Sequence, residues 1–466
     1  MTTECPPSTL TLEAPQEPWK PGLSKILACL FLATVIIHLC WGIYFFTKAS
    51  NNAPKTSLKL TGEAFLASQP GWNTENERDA SAYNRAAHEI QRAGVPRSRE
   101  GVFFDHAPAY AYFLAACYWV GGVRLLSIAL PQAILSGLIG FLLALAAWRL
   151  APRNKAAAAM IASGLILISV RIATYVGYIN PACLLLCLFC AAFLAAGQPP
   201  SLRMTVIFAV AMVLGTYTMA SFFLVGMASA FWLGLQFWRH RRRLDLICAV
   251  VILAAGVGPK VAFSMSSGDS IRVATKAQLW DCNNPYYDNW GWWSLWDIIY
   301  GQNGGPPSPA WKLSDAQLRR YDEYLARTGG DAYKAGFLWV RENPLPYTKL
   351  CFIRLRAVLG PVTARMKLPN RILSTAWWLL VFPAGFYGLW KHRKWPISVL
   401  AMLIILILVA SETLIMAGLQ PRYRLPMDLM LVVYAGLVYA PLAARWAGYL
   451  GIGANRSTAL VPETNP

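Results

Sequence analysis

Charge is scarce in this chain. Only 14% of its 466 residues are charged, 56% are hydrophobic, and the mean hydropathy is +0.40. An ordinary soluble domain carries about 25% charged residues. The balance here excludes that class and points to a polytopic membrane protein. Acid is scarcer still, 23 residues against 42 basic ones, so the formal charge is +19. In a soluble protein such an excess would suggest nucleic acid. Here it concentrates in short turns between apolar runs, such as WRHRRR at 238–243 and KHRK at 391–394. That is the positive-inside pattern, which sets topology and argues against a nucleic-acid partner.

Other absences narrow the reading further. No internal repeat is visible, so the inverted-repeat signature of many transporters is missing. No cleavable leader is expected. The first apolar run, 24–46, is longer than a signal core and follows a polar tail, with Lys20 and Lys25 at its start, so it reads as an uncleaved anchor. Most of the 10 cysteines lie inside apolar runs. Cys183, Cys187 and Cys190 fall at i, i+4 and i+7, one helix face, and read as small packing residues. Cys282 and Cys351 fall in regions read as external, where a disulfide is chemically allowed.

What is present is a series of apolar runs. A span takes roughly 20 apolar residues, and the runs predict an all-α polytopic membrane protein with about ten transmembrane helices. Residues 1–23 read as a disordered cytoplasmic tail and 24–46 as the first transmembrane helix. Residues 47–122 read as the first extracytoplasmic loop, with interfacial helices, and 123–263 as a transmembrane core. Within the core, 156–175 and 180–196 read as a pair of spans joined by a tight outer turn, and a break near Ala220 and Ser221 divides 205–238 into two spans. Residues 264–371 form a second, aromatic-rich extracytoplasmic region, with short helices expected over 314–327, 331–342 and 346–359. Residues 372–447 hold the C-terminal transmembrane helices, with an outer turn over 421–426 and the last helix over 428–444, and 448–466 a cytoplasmic tail. Both termini then lie inside, and the basic turns alternate correctly with this topology. The bacterial inner membrane is the expected location, with the two large regions facing outward.

The most polar stretch near the membrane is 72–118. Within it, 79–93 predicts an amphipathic helix, since Tyr83, Ala86, Ala87 and Ile90 recur at i, i+3, i+4 and i+7. Asn84, Arg85, His88 and Arg92 occupy its other face, so it is expected to lie on the membrane surface. Asp79 at its start fits a general base toward a hydroxyl or a plain N-cap. Asp105, next to His106 and before Pro108, fits a second acid or the cap of the following helix. One Asp and one His are too few for a metal site, so no metal and no cofactor are expected.

Charges near span ends are the other candidates. Arg422 and Arg424, in QPRYRLP, fit bidentate hydrogen bonds to a lipid phosphate. They also fit head-group snorkelling. Arg171, Lys260 and Glu412 sit near outer span ends, and burying each costs about 2.5–3.5 kcal/mol on insertion scales. They are expected to face a polar cavity or one another. His38, inside the first span, reads as a hydrogen-bonded packing residue. The aromatic cluster over 280–300 suits sugar or isoprenoid stacking and equally an interfacial belt.

Taken in order, these features resemble the GT-C superfamily of polytopic glycosyltransferases, including protein O-mannosyltransferase-like and aminoarabinose-transferase-like enzymes. The resemblance rests on Asp79 followed by Tyr83, HAPAYAYFLAACYWVGG at 106–122, the Asn283-Asn284-Pro285 turn, and RYRLP at 422–426. It implies transfer of a sugar from a polyprenyl-phosphate-linked donor to an unidentified acceptor on the outer face, with inversion. Asp79 is then the expected base. Where many relatives have Asp-Glu, this chain has Ala80 after Asp79, which leaves Asp105 as the second acid or none. Tyr83, His106, Arg171, Lys260, Asn284, Arg422, Tyr423 and Arg424 are the expected substrate-binding residues. A transporter, a flippase or a non-catalytic binder of lipid-linked sugars is the alternative.

Overall fold

The computed structural model describes residues 21–49, 79–95, 108–199, 201–219, 222–259, 315–361, 368–414 and 421–449. Asp105, His106, Lys260, Asn284, the aromatic stretch 280–300 and the proposed partner Cys282 lie outside them. The described elements are all helical. They run α1 (Pro21–Ala49), α2 (Asp79–Ala93), α3 (Pro108–Gly121), α4 (Leu125–Leu150), α5 (Lys155–Leu167), α6 (Val170–Val176), α7 (Ala182–Ala196), α8 (Leu202–Thr218) and α9 (Phe223–His240). Then follow α10 (Arg243–Val251) with a π-helical turn at Ile252–Val257, α11 (Asp315–Arg327), α12 (Ala332–Glu342), α13 (Pro344–Leu359), α14 (Leu368–Lys391), α15 (Pro396–Leu414) and α16 (Pro421–Tyr449).

Among the described residues, five helices are long and apolar enough to cross a membrane: Gly22–Tyr44, Leu125–Leu150, Arg371–Lys391, Pro396–Leu414 and Arg424–Ala447. A sixth arises if α5 and α6, bent by 55°, count as one span. These apolar helices make the chain an integral membrane protein. The lengths of the apolar runs predicted about ten spans. Among the described helices, α7 and α8 are apolar but short, at 15 and 17 residues, about 23 and 26 Å at 1.5 Å per residue against a ~30 Å core.

The bundle is built around α16. From Leu425 to Gly436 every residue is buried. A helix apolar on all sides must be surrounded by others. Helix α14 runs parallel to it at close range because Gly385 and Gly388 face its backbone. A Cβ on Gly388 would meet the Tyr434 carbonyl oxygen at 2.6 Å, and one on Gly385 would meet the Leu431 Cβ at 2.7 Å. Helix α5 approaches from another side, with the Ala158 carbonyl 3.0 Å from where a Gly436 Cβ would be. Small residues replace the hydrophobic effect as the means of close helix association in lipid. Ser398 Oγ and Tyr434 Oη share a hydrogen bond of 2.8 Å across α15 and α16.

The same contacts orient the molecule. Leu23 and Leu27 of α1 cluster with Ala144, Trp148 and Ala159 beside the 149–155 turn. Trp232 Nε1 donates to the Pro396 carbonyl at 3.0 Å, so the last turns of α9 lie beside the start of α15. The basic turns at 149–155, 239–243 and 391–394 thus gather at one end, as the charge pattern predicted.

Two helices break, and each freed carbonyl is taken by a side chain from elsewhere. The sequence suggested one span over 156–175; instead α5 ends at Leu167, and His38 Nε2 of α1 lies 3.2 Å from the Leu167 carbonyl. Just past the π-helical turn that continues α10, Pro259 has no N–H for the Ala255 carbonyl four residues earlier. Tyr217 Oη of α8 donates to that carbonyl at 2.6 Å.

The sequence also placed a turn at 421–426 and a helix from Asp428. The structure corrects this: α16 begins at Pro421. Proline at the first helical position loses no bond. Pro426 forfeits one, a cost that packing on every side offsets.

Candidate functional site

Helix α2 starts at Asp79, and the side chains that follow fix how it sits. Tyr83 and Ala87 are buried, with Ala86 and Ile90 packed against the same cluster, so the face drawn from periodicity is real. Its partner is helix α3 rather than lipid. Tyr83 meets Tyr110 edge-on with ring centroids 5.0 Å apart. Tyr118 Oη donates to Asn84 Oδ1 at 2.7 Å, and the His88 ring stacks on Tyr118 at 5.5 Å. Asn84 and His88, read as surface residues, therefore belong to the docking face. Burial pushes the Tyr110 and Tyr118 phenols well up, so both stay protonated.

Helix α3 passes this order on to the bundle. Tyr110 Oη accepts from the Asn180 backbone N–H at 2.8 Å. Gln132 Nε2, fully buried on α4, donates to the Val176 and Tyr178 carbonyls at 3.1 and 2.8 Å. The turn between α6 and α7 is thus clamped from two helices, and α2 with Asp79 at its head is fastened to it through Tyr83 and Tyr110.

At the other end of α6 lies a buried charge node. Arg171 Nη1 donates to Asp428 Oδ2 at 3.1 Å, and Arg424 Nε donates to Asp428 Oδ1 at 2.8 Å. Arg171 Nη2 also reaches the Pro361 carbonyl, and Arg424 Nη1 the Val358 and Gly360 carbonyls that end α13. The Phe382 ring of α14 lies 4.6 Å from Arg424 Cζ. Arg171 and Arg424 are each 6% exposed and Asp428 is fully buried. One turn earlier on α13, the fully buried Arg354 donates to the Thr413 carbonyl at 3.3 Å, beside buried Glu412.

Two guanidiniums on one carboxylate leave one positive charge over. Arg424 Nη2 and Arg171 Nε are buried and have no hydrogen-bond partner among the described residues. An unbalanced charge in a low-dielectric site is costly unless something completes it. The node lies at the end of α16 away from the basic turns, bordering 362–367 and 415–420, which lie outside the described residues.

The structure therefore brings Arg171 and Arg424 together, as sequence alone had not. Tyr83 is in the α2–α3 contact. Asp79 is placed by its backbone at the head of α2, and Arg422 and Tyr423 by theirs in the first turn of α16. Asp428 was missed. Its signal was present as Arg-x-x-x-Asp, an i,i+4 pair on a helix, but reading 421–426 as a turn cut the pair in two. Among the described residues no three His, Cys, Asp or Glu side chains converge as a metal site would require.

No family model and no curated protein matches the chain. Among solved structures, it is similar to the archaeal oligosaccharyltransferase AglB from Archaeoglobus fulgidus in complex with an inhibitory peptide and a dolichol-phosphate. The TM-score is 0.49 at 12% identity, over 93% of this chain and 51% of that one. A second structure from the same organism, the oligosaccharyltransferase tethered to an acceptor peptide with an NVT sequon, gives 0.48 at 13% identity, over 92% and 50%. The chain spans about half the length of these proteins. The likeness is one of loose helical arrangement, and no residue role is taken from it.

Proposed function

We propose that the protein is a membrane glycosyltransferase that moves a sugar from a polyprenyl-phosphate-linked donor to an acceptor, with inversion. Transfer takes place at the end of the bundle away from the basic turns, which the positive-inside rule places outside the cytoplasm. Asp79 is the general base toward the acceptor hydroxyl. Arg422 and the buried pair Arg171 and Arg424 hold the phosphate.

The observation that carries this reading is the surplus positive charge of the Arg171–Asp428–Arg424 node, with guanidinium nitrogens left unpartnered beside the start of α16. As the sugar leaves, negative charge grows on the departing phosphate. Fixed cations in a water-poor site stabilise that charge without reorganising, often the largest catalytic contribution. Asp428 keeps the two guanidiniums in place while cancelling only one of them. The acceptor side belongs to α2, which is locked to the bundle and so presents Asp79 at a defined position.

The deciding experiment gives the purified protein a pool of polyprenyl-phosphate sugars and a membrane extract as acceptor, and reads release of free polyprenyl phosphate. Release by the wild type and none by Asp79→Asn is expected. Equal release by both moves the base to Asp105 or elsewhere. Lipid bound by the wild type with no release under any acceptor would favour a transporter or binder.

A further inference from the structure

The break between α5 and α6 decides where Arg171 points, and the break is held from α1. Helix α5 ends at Leu167 and α6 begins at Val170, after a bend of 55°. In an unbroken helix the Leu167 carbonyl would accept from the N–H of residue 171. Here His38 Nε2 lies 3.2 Å from it, and His38 Nδ1 lies 3.1 Å from Ser136 Oγ on α4. A carbonyl only accepts, so Nε2 carries the proton toward it, while Nδ1 faces a Ser136 hydroxyl that itself donates to the Ala133 carbonyl at 2.7 Å. Neither Gly nor Pro occurs at the break, where Ile168 and Ser169 stand, so local chemistry gives no reason for it. The buried imidazole, 1% exposed, does.

We infer that His38 is a positioning residue for the anion-binding node: by capping the Leu167 carbonyl it holds the α5–α6 break open, so that Arg171, one turn on, reaches Asp428. Three helices meet in this one ring. Helix α1 supplies the imidazole, α4 the Ser136 hydroxyl beside Nδ1, and the end of α5 the carbonyl. Gly42, one turn beyond His38 on α1, presses on α6 itself, where an added Cβ would lie 2.9 Å from the Val176 Cβ. Helix α1 thus fixes α6 at both ends, at the carbonyl before it and at its last residue. Without the cap, the buried carbonyl is left unsatisfied, and the helix recovers the bond by straightening. That rotates residue 171 away from α16.

The role in the node rests on the proposed function, but the positioning does not, so the experiment has two arms. The first is a double-mutant cycle read by thermal unfolding in detergent, with His38→Leu, Arg171→Ala and both together. If His38 places Arg171, the loss on Arg171→Ala falls to less than half its wild-type size in the His38→Leu background, because the ion pair is already broken there. His38→Gln, whose amide N–H can reach the same carbonyl, restores the full Arg171 effect and also serves should His38→Leu fold poorly. Additive losses would overturn the inference. So would a His38→Gln protein that behaves like His38→Leu.

The second arm measures affinity for a short-chain prenyl phosphate, with no turnover required. His38→Leu is expected to weaken binding at least fivefold and His38→Gln less than twofold. Coupling in the cycle with no phosphate binding by the wild type would remove the proposed donor site and keep His38 as the residue that sets Arg171. Binding by the wild type that is equal in His38→Leu would refute the positioning of the anion site.

Discussion

Arg424 Nε donates to Asp428 Oδ1 at 2.8 Å, one turn along the same helix, and Asp428 spends its other oxygen on Arg171 from 257 residues earlier in the chain. A local pair is thereby turned into a joint between the first half of the bundle and the last. The cost of burying these groups has been met in the folded state by hydrogen bonds to three carbonyls around α13. Removing one member does not return that cost; it leaves the others uncompensated.

Asp428→Asn should therefore be the most damaging single change in the node. Two buried guanidiniums would face a neutral amide, and breaking a buried pair in this way costs about 3–5 kcal/mol. Reversible denaturation in mixed micelles measures it. A loss below about 1 kcal/mol would mean that water or an ion already screens the pair. Arg424→Met, which keeps the volume and removes the charge surplus, should destabilise less.

Gly388→Ala tests the α14–α16 crossing. The new Cβ would lie 2.6 Å from the Tyr434 carbonyl oxygen, which belongs to the backbone and cannot rotate away. The helices must separate, at about 1–3 kcal/mol for an overpacked contact. Gly234→Ala is the control, since nothing lies within 4 Å of its added Cβ. It should be neutral or slightly stabilising, because alanine suits a helix better than glycine. Equal effects of the two changes in a thermal unfolding assay would show that α14 and α16 do not cross so closely.

The ion pair between Arg327 of α11 and Glu342 of α12 gives a pH dependence. Arg327 Nη1 donates to Glu342 Oε2 at 3.0 Å, and this hydrogen bond holds the Glu342 carboxyl below its ordinary range. A carboxylate depressed in the folded state contributes stability above its unfolded pKa, about 4.3. It loses that contribution as the pH falls through the lower folded value. Protection of α11 and α12 amides from hydrogen exchange, corrected for intrinsic rates, should be flat from neutrality to about pH 5. It should fall only in more acid solution. The pair is exposed, so added salt should shrink the effect.

How much of this was legible beforehand depended on whether the signal was local. The amphipathic face of α2, the break between α8 and α9, the short helices α11 to α13 and the basic turns all follow from periodicity or charge within one segment. They appear where expected. The partner of each face did not follow. Asn84 and His88 looked solvent-facing because nothing in 79–93 records that Tyr118 will stand opposite. The start of α16 was misread because RYRLP has the residues of a turn, and only burial of 425–436 on every side makes it helix. The break at Ile168 is invisible locally for the same reason: its cause, His38, is 129 residues from the carbonyl it holds.

Tyr118→Phe connects the fold to the proposed chemistry and is the most informative change in the α2–α3 contact. It removes one oxygen and leaves Asn84 Oδ1, on a residue 5% exposed, without its 2.7 Å donor. An unsatisfied buried acceptor costs about 1–3 kcal/mol. The loss falls on α2, because α3 keeps its own bonds to the bundle through Tyr110. Amides of α2 should therefore exchange faster while those of α4 and α16 do not. Asp79 lies five residues before Asn84, so a looser α2 places the carboxylate less sharply. A small misplacement of a catalytic group lowers kcat by up to about 100-fold. Donor affinity should hardly change, since the proposed phosphate site is the node and not α2. A drop in kcat with unchanged donor KM would thus separate the two halves of the site. A rise in donor KM with kcat intact would mean that α2 binds the donor and that the base lies elsewhere.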